Sequence, residues 1–202
     1  MATTQATESE AKGQFRDYRM TTDRYLRLVE SGIFTAKDRV FLWRGRLVEK
    51  MTKGRRHSFS AVKLDRLLDR LVPGGFHVEL EQPVLLGDDS VPEPDVMVLR
   101  GTLDEYRDRM PTARDVVLIV EVADSSLAED SRDALRAYAA EGIPIYWIVN
   151  IPEGRFEVHG DLTGRVGVPS YRECRHYGRG DEVPVILDGR EVGRVAVRDV
   201  LP

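Results

Sequence analysis

Residues 116–150, VVLIVEVADSSLAEDSRDALRAYAAEGIPIYWIVN, decide the fold class. The segment opens with an apolar run that is typical of a buried strand and is interrupted only by Glu121. A helical pattern follows, beginning with a capping box from Ser126 to Glu129, and a second apolar strand, PIYWIVN, closes the segment. Two buried strands joined across one helix predict a parallel βαβ unit.

The flanking sequence predicts strands around this unit. RVFLWRGRLVEKM indicates a hairpin that turns at Arg44-Gly45, and HSFSAVKLDRLLDRLVPGG indicates a helix. The alternating segments FHVELEQPVLLG and EPDVMVLR predict two further strands, and the C-terminal segment alternates around an Asp188-Gly189 turn. We therefore predict an α/β protein of mixed α+β type, with a central mixed sheet flanked by helices and extra strands at both termini.

Composition limits the classes of protein that the chain can belong to. Its 202 residues are 42% hydrophobic and 32% charged, which predicts a single globular domain over 17–202 after a disordered polar tail over 1–16. The net charge of −4 argues against indiscriminate nucleic-acid binding but leaves room for a local basic groove. The only cysteine, Cys174, allows no internal disulfide, which favours a reducing, cytoplasmic location. The longest aliphatic run is too short to cross a membrane.

Three carboxylates stand within apolar strand patterns: Glu49, Asp95 and Glu121. A carboxylate in such a place is costly unless it is paired, protonated or bound to a cation. Each also has a structural interpretation, since Glu121 could pair with an arginine, Asp95 could serve a turn before its strand, and Glu49 could lie on an exposed hairpin arm.

Considered together, these carboxylates suggest a metal site. Two or three of them converging at strand ends would give an oxygen-rich site of the kind that Mg²⁺ prefers. Zinc held by histidines is less favoured, because the four histidines show no close ligand spacing: His57, His77, His159 and His176. Cys174 has no evident partner in the sequence and is interpreted as incidental.

The segment TKGRRH predicts a basic loop at the start of a helix. Its side chains Lys53, Arg55, Arg56 and His57, together with free backbone amides, could hold a phosphate of a nucleic acid. A solubilising loop is the alternative, because runs of charge are usually just solvated. The position of the loop beside Glu49 favours the nucleic-acid interpretation.

The succession GRLVEKM…H, VPEPDVMVL, LIVEVADSSLAED and YAAEGIPIYWIVN resembles the bacterial Uma-type "putative restriction endonuclease" family, part of the PD-(D/E)XK superfamily. The resemblance covers about residues 21–177. It implies a restriction-endonuclease-like fold and hydrolysis of DNA phosphodiester bonds with Mg²⁺ or Mn²⁺. Pairing into a homodimer, as related nucleases often do, is an analogy only.

The resemblance also assigns roles to individual residues. Asp95 would match the motif aspartate and Glu121 the following acidic residue, and both would hold the metal with the backbone carbonyl of Val122. Glu49 would be an additional acidic residue of the catalytic site.

The sequence departs from the family pattern at the lysine. The position two after Glu121 is Ala123, and the alternative position on the following helix is Ala134. A replacement would have to come from elsewhere, with Lys50, Lys53 and Lys63 as candidates. The second hypothesis is therefore a non-catalytic nucleic-acid or protein-binding module on a degenerate nuclease scaffold.

Overall fold

A six-stranded mixed sheet forms the centre of the protein in the computed structural model, with strand order β3-β4-β5-β6-β7-β8. The structure describes residues 16–35, 37–124, 130–163 and 168–202. All of the predicted tail except residue 16, and the predicted capping box from Ser126 to Glu129, lie outside the described residues.

The helices are α1 (Thr22–Glu30), α2 (Arg55–Leu71), α3 (Asp130–Ala140) and α4 (Val197–Val200). The strands of the central sheet are β3 (Phe76–Leu80), β4 (Val96–Arg100), β5 (Val116–Ala123), β6 (Tyr146–Asn150), β7 (Arg155–Leu162) and β8 (Tyr171–Gly178). Two further hairpins consist of β1 (Val40–Trp43) with β2 (Arg46–Glu49), and β9 (Glu182–Leu187) with β10 (Arg190–Ala196). None of the described helices is long and apolar enough to span a membrane.

The βαβ unit has the predicted topology. Strands β5 and β6 pair in parallel, with Glu121 opposite Ile148, and α3 connects them. The other four pairings in the sheet are antiparallel. The mixed sheet and the extra hairpins near both termini confirm the predicted fold class.

Both predicted hairpin turns are present. Arg44 and Gly45 have φ of 48° and 71°, and Asp188 and Gly189 have φ of 47° and 79°. Positive φ at both central residues is the pattern of a type I′ turn, whose twist matches that of the strands it joins.

Two apolar clusters cover the two faces of the sheet. One cluster contains Val120 and Val122 together with α2 and the C-terminal hairpin, and the other contains Ile119 and side chains of α3. The sequence pattern predicts that Val117 and Ile119 share the face of Glu121, but Val117 packs in the Val120 cluster. Val98 pairs with Leu118 and Leu99 pairs with Val116, so Val117 is an extra residue in β5, and this bulge breaks the alternation at that end of the strand.

Candidate active site

Asp95 and Glu121 meet where β4 begins. Val96 pairs with Val120, so the residue before β4 lies beside the residue that continues β5. Asp95 is only 3% exposed, and its Oδ2 accepts a hydrogen bond of 2.7 Å from the Val122 backbone N–H. The strand register therefore places both predicted carboxylates in one site.

Lys53 reaches this site from the loop before α2. Its Nζ lies 2.6 Å from Asp95 Oδ1 and 3.0 Å from Glu81 Oε1. Burial alone would lower the pKa of Lys53, but the charges and hydrogen bonds of Asp95 and Glu81 outweigh that effect and raise it. The ammonium group is therefore charged and held between two carboxylates.

His57, in the first turn of α2, makes the second side-chain contact with Asp95. Its Nε2 lies 3.0 Å from Asp95 Oδ2, and its buried Nδ1 has no hydrogen-bond partner among the described residues. Burial would raise the pKa of Asp95, but the hydrogen bond from His57 and the charge of Lys53 lower it overall. Asp95 is thus an anion inside the protein.

Glu121 has the opposite electrostatic environment. Burial of its carboxyl group and the neighbouring charge of Asp95 raise its pKa to about 8, although a hydrogen bond from Tyr138 opposes the shift. The Tyr138 hydroxyl donates this bond from α3 to Glu121 Oε1 over 2.7 Å. Two neighbouring carboxylates with divergent pKa values are typical of functional sites.

The remaining predicted site residues lie further out. Glu49 is exposed at the end of β2, and no hydrogen bond or ion pair among the described residues joins it to Asp95 or Glu121. Arg55 and Arg56 are exposed at the start of α2, with an Arg56 nitrogen 3.8 Å from Asp124. The predicted basic loop is thus divided, with Lys53 and His57 in contact with Asp95 and the two arginines facing solvent.

Ala134 is the α3 position at which the resemblance leads us to expect a lysine. Ala134 is half-buried and packs against the same apolar cluster as Tyr138. Tyr138, the α3 side chain that contacts Glu121, comes one helical turn after Ala134, on the same side of α3. The loop before α2 instead supplies an ammonium group to the site, that of Lys53.

Sequence reasoning missed two residues of the site, Glu81 and Tyr138. Glu81 has a left-handed backbone with φ of 54°, and its N–H donates to the carbonyl of Asp95 over 3.1 Å. A non-glycine residue in this region is uncommon and is often associated with function, but the sequence does not reveal it. Tyr138 lies four residues after Ala134, on the same side of the helix, and this spacing is visible in the sequence.

A comparison with protein-family models matches residues 22–193 to the family described as "Uma2: Putative restriction endonuclease". The match extends over most of the 202 residues. The chain belongs to the Uma2 family. The predicted resemblance is confirmed, and the carboxylate pair of this Uma2 protein lies within the matched region.

A solved structure has the same fold as this Uma2 protein. It is described as a putative nuclease belonging to DUF820 from Anabaena variabilis, and the two chains are 15% identical with a TM-score of 0.65. The similarity covers 90% of this chain and 97% of the other, which confirms the predicted restriction-endonuclease-like fold. No curated protein matches the sequence.

Proposed function

We propose that this protein is a metal-dependent nuclease that hydrolyses DNA phosphodiester bonds with Mg²⁺. One observation carries the proposal: a lysine lies 2.6 Å from one of two adjoining carboxylates at the centre of a restriction-endonuclease-like sheet. Acidic groups that can hold a cation, and a cationic side chain that can orient water and offset charge on the phosphate, are components that phosphodiester hydrolysis needs.

The residues present fit a divalent cation. Asp95 and Glu121 offer carboxylate oxygens, and burial together with the charge of Asp95 raises the pKa of Glu121, a shift that a bound cation would oppose. The Val122 carbonyl is the third candidate ligand. The N–H of Ile119 and the C=O of Ala123 form hydrogen bonds on the side of β5 that faces β6. Backbone groups of successive residues point to opposite sides of a strand, so the N–H and C=O of Val122 point to the side of β4. The Val122 N–H meets Asp95 there, just before β4 begins.

A cation bound by these groups would lower the pKa of a bound water and neutralise charge on the phosphate. The protein's own contribution is positional. Lys53 lies close enough to orient the attacking water, and its bond to Glu81 keeps it at the site when Asp95 is occupied by a ligand. His57 and the Val122 N–H fix the orientation of the Asp95 carboxylate.

Lys53 thus takes the place of the lysine absent at Ala134. It comes from the N-terminal side of α2, whereas the family pattern places the lysine on α3. Of the candidates suggested by the sequence, Lys50 pairs instead with Glu93, and Lys63 lies exposed against the ring of Phe59. Geometry therefore favours Lys53.

The first test is cleavage of double-stranded and single-stranded DNA by purified protein with Mg²⁺ or Mn²⁺. We expect Asp95→Asn and Glu121→Gln to reduce the rate by roughly 100-fold or more, because each removes a charged ligand. Asp69→Asn, an exposed aspartate on α2, is the matched control and should cleave normally. Cleavage that persists in Glu121→Gln would identify a contaminant and refute the assignment.

The second test isolates Lys53. Lys53→Met should reduce the rate by roughly 100-fold, because it removes the group that orients the attacking water, while Lys63→Met should not change it. Metal binding by both variants is measured by calorimetry. Normal cleavage by Lys53→Met would show that another group serves the reaction.

Ala134 favours a second candidate, a non-catalytic nucleic-acid or protein-binding module on the same scaffold. In that case the wild type would not cleave any of the DNA substrates. Ala134→Lys would then create cleavage where the wild type has none, which would identify a degenerate nuclease. If the wild type cleaves DNA and Lys53→Met does not, this candidate is excluded.

A further inference from the structure

Four potential metal ligands form a two-by-two array on strands β7 and β8. Glu157 pairs with His176 across the strands, and His159 pairs with Cys174. Residues two apart in a strand share a face, so Glu157 and His159 lie beside each other, as do Cys174 and His176. No part of the proposed nuclease chemistry uses these side chains.

The cysteine sulfur lies between two imidazole nitrogens. Cys174 Sγ is 3.4 Å from His176 Nε2 and 3.8 Å from His159 Nε2. Tetrahedral zinc, with Zn–S of about 2.3 Å and Zn–N of about 2.0 Å, requires a sulfur–nitrogen separation of about 3.6 Å. One ligand atom from each of Glu157, Cys174 and His176 lies within 4.8 Å of the others, and His159 adjoins this group of three through its contact with the Cys174 sulfur.

The glutamate is oriented for the same purpose. Its described hydrogen bonds all fall on one oxygen, Oε1, which accepts from Asn150 Nδ2 at 3.0 Å and from Arg155 Nη2 at 3.0 Å. Oε2 therefore remains available for a further ligand. Partners that hold the outer oxygen of a carboxylate are typical of metal sites, where they fix the ligand's direction.

We infer that Glu157, His159, Cys174 and His176 bind a transition-metal ion of the Zn²⁺ class. The mixture of one thiolate, two imidazoles and one carboxylate suits zinc or cobalt and does not suit Mg²⁺, which prefers oxygen ligands alone. Burial raises the pKa of the Cys174 thiol, so the metal must displace its proton.

The site is separate from the carboxylate pair. Glu121, Ile148, Glu157 and His176 occupy one row across the sheet, which places the array two strands from Glu121, roughly 10 Å away at ordinary strand spacing. A metal there would fasten the edge strand β8 to β7. The inference is independent of whether the chain cleaves DNA.

The test uses Co²⁺ as a probe and the fact that the chain has a single cysteine. We expect one thiolate-bound Co²⁺ per chain, counted by a near-ultraviolet thiolate-to-cobalt absorption band that Zn²⁺ abolishes by displacement. Cys174→Ala should lose the band, and His159→Ala, His176→Ala and Glu157→Gln should each weaken Co²⁺ binding at least tenfold. Circular dichroism of each variant confirms folding.

Two controls separate this site from others. Glu173→Gln changes an exposed carboxylate on β8 that pairs with Arg175, and it should leave the band intact. Asp95→Asn with Glu121→Gln should also leave it intact, whatever happens to nuclease activity. Absence of the band in the wild type would overturn the proposal, and one Co²⁺ per two chains would replace it with a site shared between two copies.

Discussion

Protonation of Glu121 should affect the stability of the metal-free protein. Its pKa rises from an ordinary 4.5 to about 8, so the folded state binds this proton more tightly than the unfolded chain. The free energy of unfolding should therefore decrease as the pH rises from about 5 to beyond 8, since the unfolded chain ionises first. Above that range the contribution is constant.

This expectation is tested by denaturing wild type and Glu121→Gln over pH 5 to 9 in the presence of a chelator. The variant lacks the decrease, so its stability relative to wild type should increase with pH, by an amount on the order of 1 kcal/mol or more. Glu30→Gln, an exposed glutamate at the end of α1, should show no such trend. A pH-independent difference would mean that Glu121 titrates normally.

Ala134 provides a residue-level test of the lysine's relocation. Ala134 lies one helical turn before Tyr138, whose hydroxyl contacts Glu121, and we expect an ammonium group at position 134 to reach the same site as Lys53. We predict that adding Ala134→Lys to Lys53→Met raises the cleavage rate of that variant at least tenfold. Arg136 is exposed, and Arg136→Lys in the same background is the matched control that should restore nothing.

Asp95 and Glu121 could be identified from the sequence because a carboxylate within an apolar strand pattern stands out in the linear sequence. The sequence did not distinguish among three candidate lysines, because the spacing of residues in a loop does not determine where the loop runs relative to the sheet. The metal-ligand array on β7 and β8 was missed for a related reason. His159 and Cys174 are fifteen positions apart, and only the strand register makes them neighbours.

At the level of elements, Asp133 connects the N-terminal hairpin to α3. One carboxylate oxygen accepts from Trp43 Nε1 at 2.8 Å, and the other pairs with Arg44 at 2.8 Å. Trp43 also packs edge-on against Tyr138, with ring centroids 6.2 Å apart. The hairpin therefore supports the helix that presents Tyr138 to Glu121.

Asp133→Asn should weaken both contacts while preserving the shape of the side chain. We expect a loss of about 1 kcal/mol in the free energy of unfolding, because the contacts are partly exposed and one is an ion pair. Chemical denaturation measures the loss, with Asp69→Asn as the control on α2. An unchanged midpoint would show that the hairpin is held by apolar packing alone.

The predicted elements succeeded where local patterns suffice. The hairpin turns at Arg44-Gly45 and Asp188-Gly189 and the parallel βαβ unit all follow from short-range signals. The position of Val117 on the other face could not be predicted from such signals. A bulge depends on how the strand pairs with its partner, and the apolar run of β5 contains no residue that signals one.

Across the whole molecule, ion pairs reduce the basic surface suggested by the sequence. Lys53 is turned toward Asp95, Arg44 pairs with Asp133, and Lys50 pairs with Glu93. Arg55 and Arg56 remain exposed at the start of α2. On a chain with net charge −4, DNA would meet a small basic patch beside the carboxylate pair, with repulsion from much of the remaining surface.

Binding to DNA should therefore depend on few phosphate contacts, and these two arginines should account for most of them. In a Glu121→Gln background that prevents cleavage, we predict that Arg55→Ala with Arg56→Ala weakens binding equally for all DNA sequences. Each lost phosphate contact should reduce the slope of log affinity against log salt by about 1. Arg198→Ala, an exposed arginine on α4, should leave the slope unchanged. Equal slopes for the double variant and its parent would place the DNA on another face, because only side chains that contact phosphates release counterions and so contribute to the slope.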